Sequence, residues 1–304
     1  MTGRAVLGLL ALYLLWGVNY LAVRWAVAAL PPFFMAGSRY LAAGLLLWAA
    51  LAAAARLRRA APPRAGRKEW GLAAVGGGAF VFCGDGGIAF AEQYIDSSLA
   101  ALLVATIPLW MALGVWAWGL GPRPRPPVWL ALALGFGGIA LLVDPVTPAA
   151  HYRLGVAVML GLSFVWTLAS LYLKQEEKKW EPPSPLRLAA LQMVCGGGAL
   201  LAFSAAAGET LPARIDARAW TGYGYLFVGD CLLGFPLYLW LLRTCPPLPV
   251  STYAFMCPLV ALLAGITLGG EAFSPRTGGG AALILAAVAL ILFFSTFQSK
   301  DEEK

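Results

Sequence analysis

Apolar runs of about twenty residues, each long enough to cross a bilayer, recur along the whole chain and constrain it more than any other feature. They fall at 5–23, 33–55, 70–91, 97–120, 127–143, 154–173, 186–207, 219–242, 248–269 and 277–297. Pro, Gly and charge clusters separate them: Pro31-Pro32, the stretch Gly121-Pro122-Arg123-Pro124-Arg125-Pro126-Pro127, and Pro182-Pro183-Ser184-Pro185. The connectors are short, which leaves no room for a separate soluble domain. Composition agrees. Of the 304 residues 60% are apolar and 12% charged, against roughly 25% charged in a soluble domain. With a mean hydropathy of +0.75, a soluble enzyme is excluded and an all-α integral membrane protein of ten transmembrane helices is expected. The first span ends near Ala26-Val27-Ala28, which imitates a leader cleavage site. Its apolar stretch exceeds the ~7–15 residues of a leader, so it is expected to be retained.

Other counts remove whole classes. A single histidine, His151, argues against His-dependent acyl transfer and His-rich metal sites. Cys83, Cys195, Cys231, Cys245 and Cys257 are scattered through apolar runs and read as small hydrophobes rather than a disulfide framework. No cofactor is expected, and the sequence contains no GxxxxGK[ST] phosphate loop.

The formal charge of +7 is a matter of placement. Sixteen Lys and Arg lie at one set of alternate loops: Arg4; Arg56, Arg58, Arg59, Arg64, Arg67 and Lys68; Arg123 and Arg125; Lys174, Lys178, Lys179 and Arg187; Arg243; Lys300 and Lys304. Five lie at the other: Arg24, Arg153, Arg214, Arg218 and Arg276. That asymmetry puts both termini in the cytoplasm, as an even number of spans requires. The charge is therefore a topology signal rather than a nucleic-acid surface.

The chain also resembles itself. Pro108 and Pro258 are 150 residues apart, and so are Trp16 and Trp166. Gly138-Ile139-Ala140-Leu141-Leu142 is echoed by Ala287-Val288-Ala289-Leu290-Ile291. Five spans fall in each half, and an odd number forces the second copy upside down. The expected fold is two inverted five-helix repeats around a central cavity, with 1–148 the first repeat, 149–297 the second and 298–304 a charged tail. Inverted repeats mark alternating-access transporters.

The run Ala91-Glu92-Gln93-Tyr94, then Ser97-Ser98-Leu99-Ala100-Ala101-Leu102, with mid-helix Pro108 and Pro258, resembles the EamA-type exporters of the drug/metabolite transporter superfamily. Leu268-Gly269-Gly270-Glu271, Ser274 and Gly280-Ala281-Ala282-Leu283-Ile284-Leu285 resemble that family's closing signature. The resemblance implies ten helices around a cavity, export of small metabolites such as amino acids or drug-like amphipathic compounds, and no ATP motor. Two positions depart from the pattern. Gly121 stands where the first half would match Glu271, and Cys257 precedes Pro258 where related exporters often carry Asn. The alternatives are a facilitative carrier or exchanger, or a membrane enzyme or scaffold.

At ~1.5 Å per residue, Trp16, Pro108, Trp166, Asp230 and Pro258 lie about 15–18 Å inside their spans, where transporter sites are expected. Each proline removes a backbone donor and allows a kink. Charges at depth are costly. Arg39 and Asp85 lie at equal depth, about 8–9 Å in, on consecutive spans, so an ion pair is expected. Asp230 has no cation at its counted level and is a proton-coupling candidate, with Asp85, Arg39 and Glu92 also considered for coupling or ion pairing. Glu92, Asp96 and Glu271 sit near the outer interface, where solvation or helix capping is expected. Asn19, Tyr20, Gln93, Trp110, Tyr238 and Tyr253 are candidates for polar and aromatic cavity contacts. The three Gly-Gly-Gly runs at 76–78, 196–198 and 278–280 read as thin packing spots, as does Gly265-x-x-x-Gly269. The expected partners are a small-molecule substrate and the lipid bilayer, the expected state a monomer or weak homodimer in the inner membrane.

Overall fold

The structure is a computed structural model that describes residues 3–59, 64–120, 126–142, 150–177, 179–180, 184–268 and 274–301. Among these residues every regular element is a helix. In chain order they are α1 (Gly3–Val27), α2 (Pro32–Leu57), α3 (Arg67–Ala91), α4 (Ser97–Val104), α5 (Ile107–Ala117) and α6 (Pro126–Leu142), followed by α7 (Ala150–Glu176), α8 (Pro185–Ala206), α9 (Ala217–Thr244), α10 (Pro247–Val250), α11 (Tyr253–Thr267) and α12 (Pro275–Asp301). Prolines at the first helical position start α2, α6, α8, α10 and α12, because a missing N–H costs nothing there.

Seven helical stretches are long and apolar enough to cross a bilayer: α1, α2, α3, Leu99–Ala117 within α4–α5, α7, α8 and α9. Shorter apolar stretches, Pro126–Gly135, Pro247–Ala261 and Gly278–Ala287, occupy the three other places where spans are expected. α12 extends to Asp301, and residues 302–304 lie outside the described residues.

Two expected spans are broken. The chain turns at Ala105-Thr106 between α4 and α5, and at Ser251-Thr252 between α10 and α11. Local side chains stabilise both turns: Thr106 Oγ1 donates to Leu103 O at 2.8 Å, Thr252 Oγ1 to Pro249 O at 2.7 Å, and Ser251 Oγ to Leu248 O at 2.7 Å. The two prolines expected to be equivalent kinks therefore differ. Pro108 is the second residue of α5, just past a break, whereas Pro258 lies inside the continuous α11. The break in the second half falls before Tyr253, five residues ahead of Pro258, because α10 is four residues long and α4 is eight.

The halves match in a second way. α3 contains a π-helical segment, Gly77–Asp85, and α9 contains one at Leu226–Gly234, each nine residues long. Such segments are rare and concentrate at functional sites.

Counterpart helices pack on each other. Along α2 and α8, Gly37 faces Leu201, Gly197 faces Leu41 and Gly44 faces Ala190, so the two run antiparallel. A Cβ on Gly44 would lie 2.9 Å from Ala190 O, so only glycine permits this approach. α6 and α12 are antiparallel as well: Gly135 faces Ala287, and Gly138 faces Gly280 and Ile284. Lipid leaves helices little hydrophobic drive to associate, so small residues that let backbones touch carry such seams. The glycine runs are used unevenly. Gly77 meets Gly196 and Gly197 meets α2, whereas Gly78 and Gly198 have open space beside them; Gly269 lies outside the described residues. At one end of the α2–α8 seam, Gly208 (φ +71°) terminates the helix and Glu209 turns back to cap α2. Its carboxylate accepts from Phe33 N at 3.2 Å and Phe34 N at 2.8 Å. At the other end Arg187 pairs with Glu69 at 2.5 Å.

Candidate functional site

α2 delivers Arg39 and Tyr40 to the middle of the bundle, both fully buried. The end of the first π-helical segment delivers Asp85, and the second delivers Asp230 and Cys231. Arg39 donates from Nη2 to Asp85 Oδ1 at 3.0 Å, as expected from their depths, and from Nη1 to Asp230 Oδ2. The expectation that Asp230 lacks a cation at its level is thus corrected. The count located α-carbons, whereas the Arg39 guanidinium stands at the end of a long side chain that reaches both carboxylates. The Tyr40 hydroxyl lies 2.7 Å from Asp85 Oδ2 and 2.9 Å from Asp230 Oδ2. Sequence reasoning missed Tyr40; a hydroxyl adjacent to an intramembrane arginine was the available signal.

Beside the carboxylates is a cavity of about 40 Å³, lined by Trp16, Asn19, Tyr20, Asp85, Trp166, Asp230 and Tyr253 together with apolar Val23, Ile88, Val104, Ile107 and Leu162. That volume holds about three or four waters, given ~10–15 Å³ for each, so a larger occupant requires the surrounding helices to part. Trp16 Nε1 and Asn19 Oδ1 are buried and have no hydrogen-bond partner among the described residues. Trp16 Nε1 faces the backbone at Gly234, where an added Cβ would lie 2.5 Å from it, whereas Asn19 Oδ1 is an unclaimed acceptor on a residue of the lining.

An aromatic cluster floors the cavity. Trp16 meets Trp166 edge-on at 5.7 Å between ring centroids and Tyr253 edge-on at 4.7 Å, and lies tilted against Tyr238 at 5.1 Å; Phe80 meets Trp166 edge-on at 4.7 Å. Edge-to-face contacts of this kind are favourable beyond their buried area. Trp166 Nε1 donates to the Tyr238 hydroxyl at 2.9 Å, and Ser170 Oγ lies 2.6 Å from the same hydroxyl. Each tryptophan rests on a glycine in the π-helical segment of the other half. A Cβ on Gly234 would lie 3.0 Å from Trp16 Cδ1, and one on Gly84 would lie 2.8 Å from the Trp166 ring. Gly84 and Gly234 are themselves 150 residues apart.

The remaining candidates lie elsewhere. Arg39 sits behind the two carboxylates and Tyr238 lies in the floor, outside the cavity lining. Pro108 is buried next to the lining residue Ile107, Trp110 packs on Phe164 at 5.3 Å, and Pro258 is buried in α11. Gln93 is exposed. Glu92, expected to be solvated, is 4% exposed, because the end of α3 packs into the bundle. Asp96 is exposed and pairs with Arg24. Glu271 lies outside the described residues. Among the described residues no group of three His, Cys, Asp or Glu is placed to hold a metal.

A helical bundle of two like halves, with buried charges and a cavity built from both, defines a membrane transporter. The profile of the EamA-like transporter family matches residues 3–144 and again 153–293. The chain belongs to the EamA-like transporter family, within the drug/metabolite transporter superfamily. It is 31% identical over 284 residues to the uncharacterized inner membrane transporter YedA of Escherichia coli (strain K12), covering 93% of this chain and 89% of that protein. It is 25% identical over 288 residues to the uncharacterized transporter YvbV of Bacillus subtilis (strain 168), covering 95% and 91%. A solved crystal structure superposes with a TM-score of 0.68 at 19% identity, covering 97% of this chain and 99% of that one, and shares the fold.

Proposed function

We propose that this transporter exports small metabolites, such as amino acids or drug-like amphipathic compounds, from the inner membrane by alternating access, with proton coupling through the carboxylates beside the cavity. The carrying observation is the buried Arg39–Tyr40–Asp85–Asp230 cluster, which borders a cavity walled by helices of both halves. Intramembrane ionisable groups are expensive and mark transport pathways. Antiparallel packing of α2 on α8 and of α6 on α12 supports two inverted repeats, hence ten spans with the boundary near residue 148 and a charged tail at 298–304. The lysine and arginine asymmetry supports cytoplasmic termini. In that orientation the aromatic floor and the Tyr13–Thr252 hydrogen bond (2.6 Å) close the cytoplasmic side, and the cavity lies on the outer side of them.

The experiment is flux in proteoliposomes loaded with a panel of metabolites and amphipathic compounds, with and without an imposed pH gradient. Gradient-dependent movement of at least one compound is expected. Failure of every compound to move sinks the reading, and equal movement without the gradient reduces it to a facilitative carrier.

A further inference from the structure

The hydrogen-bond count at Tyr40 does not close with two charged aspartates. A phenol has one proton to donate, yet its oxygen is 2.7 Å from Asp85 Oδ2 and 2.9 Å from Asp230 Oδ2. Both are ordinary lengths for an O–H···O bond, and two acceptors cannot each receive the same proton at full strength. One contact is satisfied if Tyr40 donates, and the other if a carboxyl donates back to the Tyr40 oxygen. We propose that Asp85 and Asp230 share one carboxyl proton through Tyr40, and that an organic ammonium ion entering the adjoining cavity displaces it.

The charge count agrees. With that proton, one guanidinium faces one carboxylate and the cluster is neutral, as burial favours. Without it, the cluster carries one net negative charge and needs a cation. Binding then forms the ammonium–carboxylate contact, breaks the carboxyl O–H bond, and delivers the proton to water. The Tyr40 oxygen touches both carboxyls, so the proton belongs to neither alone.

Other titratable groups face the cluster from every side: Tyr20 from α1, Glu92 farther along α3, Tyr225 and Cys231 on α9, and Tyr253 and Cys257 from α11. From α7 and α8, Trp166 packs at Gly84 and Leu200 at Gly86, on either side of Asp85, and neither titrates. Phenols and thiols release protons above neutral pH, so Glu92 is the competing carboxyl to be tested.

The lining suits a cation with an apolar body. Trp16, Tyr20, Trp166 and Tyr253 line it with aromatic rings, Asn19 Oδ1 offers an acceptor without a partner among the described residues, and Val23, Ile88, Ile107 and Leu162 supply apolar wall. An anion would meet a carboxylate and no cation among the lining residues.

This inference rests on the transport reading but is testable apart from it. Infrared spectra of the full chain in detergent at neutral pH should show the carbonyl stretch of one protonated carboxyl. That band should vanish at high pH and in Asp85→Asn and Asp230→Asn, and persist in Glu92→Gln. A band absent from wild type, or surviving both aspartate substitutions, overturns the shared proton. Either aspartate variant alone decides this if the other does not fold. Benzylammonium, benzyl alcohol and benzoate serve as cationic, neutral and anionic probes in weak buffer with a pH dye. Benzylammonium should release about one proton per molecule bound, and its affinity should rise about tenfold per pH unit below the cluster's titration. Cation binding without proton release, no cation binding, or preference for benzoate overturns the displacement step. Vesicle flux of other compounds in those cases leaves the transport reading standing. Absence of any flux with the carboxyl band present sinks that reading and leaves the shared proton intact.

Discussion

Arg39 and Gln192 occupy matching places in the two halves, yet they meet opposite surroundings. Each stands seven residues after the proline that opens its helix, Pro32 in α2 and Pro185 in α8. Each is fully buried and faces the π-helical region of the other half. Arg39 finds Asp230 there, with Asp85 beside it. Gln192 finds bare backbone at Gly76 and Gly77, and neither of its amide atoms has a hydrogen-bond partner among the described residues. The scaffold is thus shared between the halves while the chemistry is concentrated at one of two equivalent points. A repeat can keep its packing geometry and place its charged groups asymmetrically, because packing is satisfied by shape and a buried charge only by a partner.

The largest test of that contrast is Arg39→Met. It leaves two buried carboxylates without their cation and is expected to cost about 3–5 kcal/mol, read as a lower midpoint in detergent unfolding. A loss under ~1 kcal/mol would mean that the cluster is not held by the ion pairs.

Gly84→Ala and Gly234→Ala probe the symmetric part. Each added methyl drives into a tryptophan, and each is expected to cost roughly 1–3 kcal/mol. Similar losses sharpen the comparison, and a silent substitution at one site breaks it. Gln192→Leu should go the other way, with a gain of up to about 1 kcal/mol, because it removes an amide whose hydrogen bonds are unmet. Destabilisation by this change would show that the amide has a partner in solution.

Arg24→Ala has the smallest expected effect. Its partner Asp96 is 64% exposed at the side chain, so a change within ~1 kcal/mol is expected, along with weaker salt dependence of stability. A larger loss would make this exposed pair part of the bundle's framework.

The helices were legible from sequence because a bilayer demands long apolar runs. Each expected span coincides with a helix or broken helix pair to within four residues. The contact between Trp16 and Trp166 was foreshadowed by their 150-residue spacing. What eluded sequence reading were departures from regular α-helix. The breaks before Ile107 and Tyr253 depend on Ser and Thr hydroxyls turning onto local carbonyls, a choice that composition does not reveal. A depth counted on α-carbons also missed that the long Arg39 side chain reaches Asp230, which the π-helical segment of α9 carries. Buried Glu92 misled for the opposite reason: a position near a helix end implies water only if nothing packs over it.

The α2–α8 seam carries a consequence for motion. Backbone atoms touch at Gly37, Gly44 and Gly197, and Glu209 fastens one end to the amides of Phe33 and Phe34. Only the stems of Leu200, Leu201 and Met193 stand beside these backbone approaches, so sliding would drive main chain into main chain. This pair is expected to behave as a fixed axle while the helices around it rock. Spin labels at Ala50 and Leu186 should hold one separation across the transport cycle, while labels on α1 and α9 change theirs.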